Sequence, residues 1–388
     1  MATVQLARTL ADLDPYVEQW DRLAVSAARP LMRPAWLLSW WRGHCQFNDR
    51  SELRVALAFD DRGLVGALPL HVHDPEARIP VHEVLGAGAF WGQGPLLRGD
   101  APPETLSLLT EALAGSSPVP AVLSLAAVDI SHDWPQRMAA LWPPRGAWLY
   151  TRAGAEPCLT VTLRGDFDDW LRSARRPGEH QRKQRRLAER GVTLRRSTTA
   201  SEFRSDLASL VRLHHVRWAN NSQWLSPAME IALDRAGSQL IDSGGVRLWL
   251  LEGEEGVVAA TLFASAGAES CCLMTAYDRA WRAYGPGIFT TVAGIEDAFT
   301  RGERVVDLGY GLFEYQRGMA NSARPVAWLR VFPRGRSYPL ARACWAPRHA
   351  HERLNRLRVR LAARQRVNEV RARLRTRSVT PMSRGRVS

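Results

Sequence analysis

Apolar positions along this chain fall into short runs and helical stripes that alternate, and the change of spacing marks the elements. Pro34-Ala35-Trp36-Leu37-Leu38-Ser39-Trp40-Trp41 predicts a short aromatic helix with proline near its start. Arg54–Phe59 and Leu64–Val72 read as two strands across Asp60-Asp61-Arg62-Gly63, with glycine where a hairpin needs a left-handed backbone. A glycine-rich stretch, Val84–Leu97, follows, then a helix over Thr105–Ala114 and a strand over Ala121–Ala126. The prolines and aromatics of Leu141–Tyr150 close this unit.

A second run of elements begins with a strand at Cys158–Leu163 and a helix at Phe167–Ala174. A basic segment holds Arg175, Arg176, Arg182, Lys183, Arg185, Arg186 and Arg190, interrupted by Pro177-Gly178. The helix predicted over Glu202–Trp218 carries Phe203, Leu207, Leu210, His214 and Trp218 on one stripe. Val246–Leu251 and Val257–Ala264 form a hairpin, and Ser270–Tyr277 is the next strand. Tyr284-Gly285-Pro286-Gly287 then leads into Ile288, Val292, Ile295 and Phe299, which share one helix face. A strand over Arg304–Leu308 ends in the polar cluster Gly309–Tyr315. The order of elements repeats that of the first half without a residue-level repeat, which predicts an α/β (α+β) chain of two tandem domains.

Length agrees, because 388 residues exceed what one core usually organises. The expected division is 1–150, 151–345 and a tail over 346–388. No long uncharged apolar run and no basic-then-apolar leader appear, which predicts a cytoplasmic protein. Cys45, Cys158, Cys271, Cys272 and Cys344 show no CxxC spacing, so buried free thiols are expected, with the adjacent pair facing opposite sides of a strand. The net charge of +13 is uneven: of 52 basic residues, 18 arginines lie from Ala323 onward against two acidic ones. The remaining 34 basic and 37 acidic residues nearly balance. Lys183 is the only lysine. Leu354, Leu357, Leu361, Val367, Val370 and Leu374 stand at helical spacing among tail arginines, a basic amphipathic helix suited to the body, to an anionic membrane surface or to nucleic acid.

Candidate chemistry concentrates at Tyr277–Arg317. Glycine followed by a helix start is a phosphate site, because unpaired N–H groups and the positive end of the macrodipole point at a bound anion. Asp307 reads as a substrate-orienting carboxylate or a loop cap, and Glu314 and Tyr315 as a base and acid pair. His214 lies on the apolar stripe as a packing residue, whereas His215, with Arg217, faces away toward substrate. Arg182 and Arg186 belong to a segment that either contacts phosphate or an acidic substrate or is a solvated helix face. No metal site is expected, since the histidine pair lacks partners at ligand spacing. Trp36, Trp40 and Trp41 read as core aromatics.

Taken together, several motifs over roughly residues 30 to 330 resemble the GNAT acyltransferase superfamily. They are Pro34-Ala35-Trp36 with Trp40-Trp41, Leu85-Gly86, the basic segment before Gly191-Val192, Leu213–Trp218, Val258-Ala259-Ala260, Tyr284–Gly287, Ile295-Glu296, and Asp307-Leu308-Gly309 with Glu314-Tyr315. The branch they resemble is that of acetyltransferases associated with cellulose biosynthesis, more distantly the Fem peptidyltransferases. The loop has fewer glycines than the superfamily pattern, and Gln316 stands where that branch carries lysine. The resemblance implies two tandem folds, each a mixed twisted sheet flanked by helices, the second binding acetyl-CoA or another acyl-CoA. It implies that the strand ending at Tyr277 splays from its neighbour to hold the pantetheine arm, and that Tyr284, Gly285, Pro286, Gly287 and Ile288 cradle the pyrophosphate. Asp307, Glu314, Tyr315 and His215 are then the expected catalytic residues, and Arg182, Arg186, Arg217 and Trp218 the expected acceptor contacts. The expected activity is N- or O-acyl transfer to a small-molecule, glycan or lipid-precursor acceptor in cell-envelope or polysaccharide synthesis. A tRNA-dependent Fem-like aminoacyl transfer and a catalytically degenerate binding protein are the alternatives.

Overall fold

The computed structural model describes residues 2–152, 156–174, 177–218, 222, 224–311 and 314–352. The amphipathic tail expected from Leu354 lies outside the described residues. Contacts group Met1–Tyr338 into one unit and Pro339–Ser388 into another, and residues 339–352 of the latter are helical.

The first half runs β1 (Thr3–Ala7), α1 (Leu10–Leu13), α2 (Val17–Ser26), α3 (Pro34–Cys45), β2 (Glu52–Asp60), β3 (Gly63–Val72), β4 (Val81–Val84), β5 (Leu96–Leu97), α4 (Thr105–Ala114), β6 (Val122–Asp129), α5 (Trp134–Leu141) and β7 (Ala147–Thr151). The second runs β8 (Glu156–Thr162), α6 (Phe167–Ala174), α7 (Pro177–Ala188), β9 (Thr193–Arg196), α8 (Ala200–Trp218), α9 (Pro227–Leu240), β10 (Val246–Gly253), β11 (Gly256–Ala266), β12 (Glu269–Tyr277), α10 (Pro286–Thr300), β13 (Val305–Tyr310), α11 (Glu314–Arg317) and β14 (Ser322–Pro333). Helices α4 and α6 occupy the residues their periodicity predicts. Pro177 does not interrupt the basic segment. It begins α7, where a missing N–H costs nothing and the fixed φ suits a first turn.

The strands form one mixed sheet, ordered β1-β2-β3-β4-β6-β14-β8-β13-β12-β11-β10-β9. The order has the same pattern from either end: three antiparallel pairings, one parallel step, then antiparallel pairing to a central strand. The halves are thus tandem and topologically alike. They meet at β14, which pairs with β6 through Val326–Val331 and with β8 through Ser322–Val326.

The largest apolar core joins residues of both halves. Trp20 and Trp36, each 0% exposed, pack with Phe203, Leu210, Met229 and Leu262. Helix α3 lies against α9 at close range: a Cβ on Gly43 would stand 2.8 Å from the Ala228 carbonyl oxygen. Burying apolar surface stabilises this junction by roughly 25 cal/mol per Å². Three of the five free cysteines are buried, whereas Cys45 is half-buried and Cys344 exposed.

Candidate active site

Strands β12 and β13 pair in parallel only at Glu269↔Val305, Ser270↔Val306 and Cys271↔Asp307. Beyond those residues the strands part, and a cavity of about 400 Å³ opens between them. Two local features drive the parting. Leu273 is skipped in the ladder to β11, where Leu262 pairs with Met274 but Phe263 with Cys272, a bulge that bends β12. On β13, Gly309 has φ +89°, a conformation costly for a side chain, and its N–H bonds the Asp307 carboxylate at 2.7 Å.

The wedge is lined by Cys272–Thr275 on one side and Leu308–Tyr310 on the other, closed by Tyr315 and Gln316 of α11. His214, Arg217 and Trp218 of α8 complete it, with Trp224 and, from the first half, Trp91. Trp224 Nε1 donates to the Ala89 carbonyl at 2.8 Å, which ties the two halves together beside the cavity.

Its titratable groups are largely held neutral by burial. Burial, then the Cys272 thiol, raises the Tyr315 phenol well above its ordinary range. The Cys272 thiol is itself pushed up to about 12 by burial. Burial first, then the neighbouring charges of His215 and Arg217, brings His214 down to about 4, so its ring is neutral at pH 7. His214 Nε2 meets Ser222 Oγ at 2.9 Å, and its Nδ1 is buried without a hydrogen-bond partner. Arg217 stacks over Tyr277 at 4.8 Å and reaches the Thr275 carbonyl at 3.5 Å, placing a cation on the open edge of β12.

The glycine loop stands at the end of the same strand. Gly285, at φ +64°, is the N-cap of α10 and offers no side-chain cap, so the helix start presents backbone alone. A Cβ on Gly287 would lie 3.1 Å from Thr275 Cγ2 and 3.3 Å from Tyr277 Cδ1, so glycine is what lets α10 sit on β12. Tyr277 and Tyr284 are half-buried on the cluster that contains Phe289 and Val258. Ile288 is half-buried, and Val292 and Ile295 are buried.

The fold brings together Tyr277, Tyr284, Gly285, Pro286, Gly287 and Ile288 at the loop, and Arg217, Trp218 and Tyr315 at the cavity. Trp218, on the predicted apolar stripe, is 45% exposed. It places others elsewhere. Asp307 bonds Gly309 N–H, Cys158 Sγ (3.0 Å) and Arg324 Nη2 (3.3 Å), and faces a second, smaller cavity with Arg29, Glu269 and Cys271. Cys271 and Cys272 therefore do point to opposite sides. His215 lies 3.0 Å from Glu230 in a groove between α8 and α9, while His214 faces the cavity. Arg182 and Arg186 are exposed on α7. Glu314 opens α11, and its side chain lies outside the described set. Sequence reasoning passed over Cys272, Met274, Trp91 and Ser222; only the bulge and strand parting make them neighbours.

A strand pair that splays beside a glycine-started helix is the arrangement the resemblance implied. Residues 172–317 match the family model described as the acetyltransferase (GNAT) domain. Over that stretch the chain is similar to the GNAT domain. The matched stretch holds β12, the glycine loop, α10, β13 and Tyr315. No curated protein matches the chain by sequence. Among solved structures it is similar to FemX (TM-score 0.55, 12% identity, covering 85% of this chain and 97% of that one). It is also similar to the L-PGS of Bacillus licheniformis (TM-score 0.50, 13% identity, covering 86% and 94%). A conserved protein of unknown function from Bacteroides thetaiotaomicron has the same fold (TM-score 0.51, 11% identity, covering 85% and all of that chain). At these identities the likeness is one of fold, and it extends over both halves. No helix of the described residues is long and apolar enough to cross a membrane.

Proposed function

We propose that the chain is an acyl-CoA-dependent N- or O-acyltransferase, with acetyl-CoA as the expected donor, acting on a small-molecule, glycan or lipid-precursor acceptor. The parting of β12 from β13 beside an uncapped helix start is the observation that carries this reading. Backbone N–H and C=O groups of β12 beyond Cys271 lack a ladder partner on β13 and suit the amides of a pantetheine arm. The start of α10 suits the pyrophosphate, through free N–H groups and the helix dipole.

In the reaction, the acceptor amine or hydroxyl attacks the thioester carbonyl, and a β12 backbone N–H stabilises the resulting oxyanion. Collapse of the intermediate breaks the C–S bond. Tyr315, kept protonated by burial, delivers a proton to the departing thiolate. The neutral His214 ring, whose Nε2 meets Ser222 Oγ at the cavity wall, takes the proton the acceptor loses on attack through that hydroxyl. Asp307 enters this reading as the residue that fixes Gly309, and with it the open edge of β13.

Titration with acetyl-CoA followed by thermal unfolding tests the donor. A ligand at 100 times its Kd stabilises by about 2.7 kcal/mol, a shift of a few degrees. No shift at millimolar acetyl-CoA would remove the reading. Exposed arginines on α7, Arg182, Arg185 and Arg186, with Arg190 in the turn that follows, support a second one, aminoacyl transfer from charged tRNA. A salt-sensitive gel shift with tRNA, without a response to acetyl-CoA, is the result that would favour it.

A further inference from the structure

His44 on the last turn of α3, His71 near the end of β3 and His73 just past it do not line the cavity of the proposed reaction. Each offers a ring nitrogen, and these nitrogens lie within 4.8 Å of one another. Ring centroids are separated by 5.2 Å (His44–His71), 6.3 Å (His44–His73) and 4.8 Å (His71–His73). Three imidazoles on one tetrahedral ion, with metal–nitrogen bonds of about 2.0–2.1 Å, have centroids roughly 5 Å apart. His71 stands at that spacing from both partners, and a change of about 1 Å between His44 and the exposed His73 would bring all three rings onto one ion.

The surroundings are those of a ligand site rather than of a packed aromatic cluster alone. His71 is 0% exposed, and among the described residues neither ring nitrogen makes a well-formed hydrogen bond, the Glu83 backbone being the one polar group close to the ring, so a buried polar group is left poorly satisfied. His73 Nε2 is 2.9 Å from the Glu83 carboxylate, the kind of contact by which a carboxylate orients a metal-bound imidazole. Glu83 is held in turn by Ser124 Oγ at 2.8 Å. His44 Nε2 meets Ser51 Oγ at 3.2 Å, and Trp40 stacks on the His44 ring at 4.7 Å. His73, with 46% of its side chain exposed, leaves a path from solvent.

We propose that His44, His71 and His73 form a binding site for one divalent transition-metal ion, zinc being the ion best suited to three neutral imidazoles. Solvent or Ser51 takes the fourth position, and the ion clips the end of α3 to the end of β3. Histidine spacing hid the site, because His44 and the His71-Val72-His73 pair come together only when α3 packs on the sheet.

Untagged full-length protein, stripped with chelator and titrated calorimetrically with Zn²⁺, should take up one equivalent, and its Tm should rise. His73→Asn, at an exposed position, should weaken uptake about 100-fold, and Glu83→Gln about 10-fold to 100-fold through the orienting carboxylate. His44→Asn should act like His73→Asn, whereas His132→Asn, at an exposed histidine elsewhere, should leave binding unchanged. Cobalt in place of zinc should give the visible absorption of a four-coordinate ion in wild type and lose it in His73→Asn. Absence of saturable uptake, or uptake undiminished in both His44→Asn and His73→Asn, would overturn the proposal.

Discussion

At the scale of single residues the proposed chemistry rests on Tyr315 and Gly287. Removal of the Tyr315 hydroxyl in Tyr315→Phe should lower kcat about 100-fold, the size of a lost general acid, while the thermal shift with acetyl-CoA persists. Because burial raises that phenol, wild-type activity should not decline where ordinary tyrosines ionise, near pH 10. Gly287→Glu should abolish the acetyl-CoA shift instead, since the new side chain starts 3.1 Å from Thr275 on the strand that would hold the donor. The placement of both was legible in the sequence, the glycine from its position before a helix stripe and the tyrosine from its position after a strand end. The placement of His214 and His215 was not. A helix stripe names an apolar face, but α8 turns that face partly toward an open wedge, so the histidine on it meets a cavity.

Elements are held in register here by buried charge as well as by apolar packing. Arg247 of β10 is 1% exposed at its side chain and reaches Asp297 of α10 at 2.9 Å and Glu303 at 2.9 Å, with Ser265 Oγ at 2.6 Å. Arg247→Ala would leave the buried Glu303 carboxylate without its cation, while Asp297 keeps Arg196 and Arg301, and urea unfolding should show a loss of about 3 kcal/mol. Helix α10 itself was readable from its stripe. Helix α5 is short and mixed and gains a fixed face only by packing on the sheet, whereas α9 carries a readable stripe, Met229, Ala232, Leu233, Ala236 and Leu240, behind a Ser226 cap.

Across the whole molecule, the sheet makes the two halves depend on each other. Strand β14 comes late in the sequence, yet it pairs with β6 of the first half. A fragment ending at residue 150 therefore exposes the edge of β6 and should aggregate, with co-expression of residues 151–388 restoring solubility; a soluble, cooperatively folding fragment 1–150 would contradict this. Buried histidines set the response to acid. His82 is brought down to about 3 by burial and then by Arg54, and His214 to about 4. Both folded values lie below the unfolded value near 6.5, so the unfolded chain binds more protons in between. Stability is then complete above pH 6.5 and falls as pH drops toward 4. The Tm should be lower at pH 5 than at pH 7.5, and His82→Leu should narrow that difference.

By itself the sequence determined the positions of most strands and of the helices with clear stripes, the tandem order of elements, and the glycine start of α10. Those properties reside in neighbouring residues, where spacing, φ preference and capping act. Only the tertiary structure decided that the halves share one sheet through β14, that β12 parts from β13 after three pairs, and that Asp307 turns from the cavity that Tyr315 lines. Each depends on strands distant in sequence, where a single bulge at Leu273 or one turn of register reassigns the direction of every side chain beyond it.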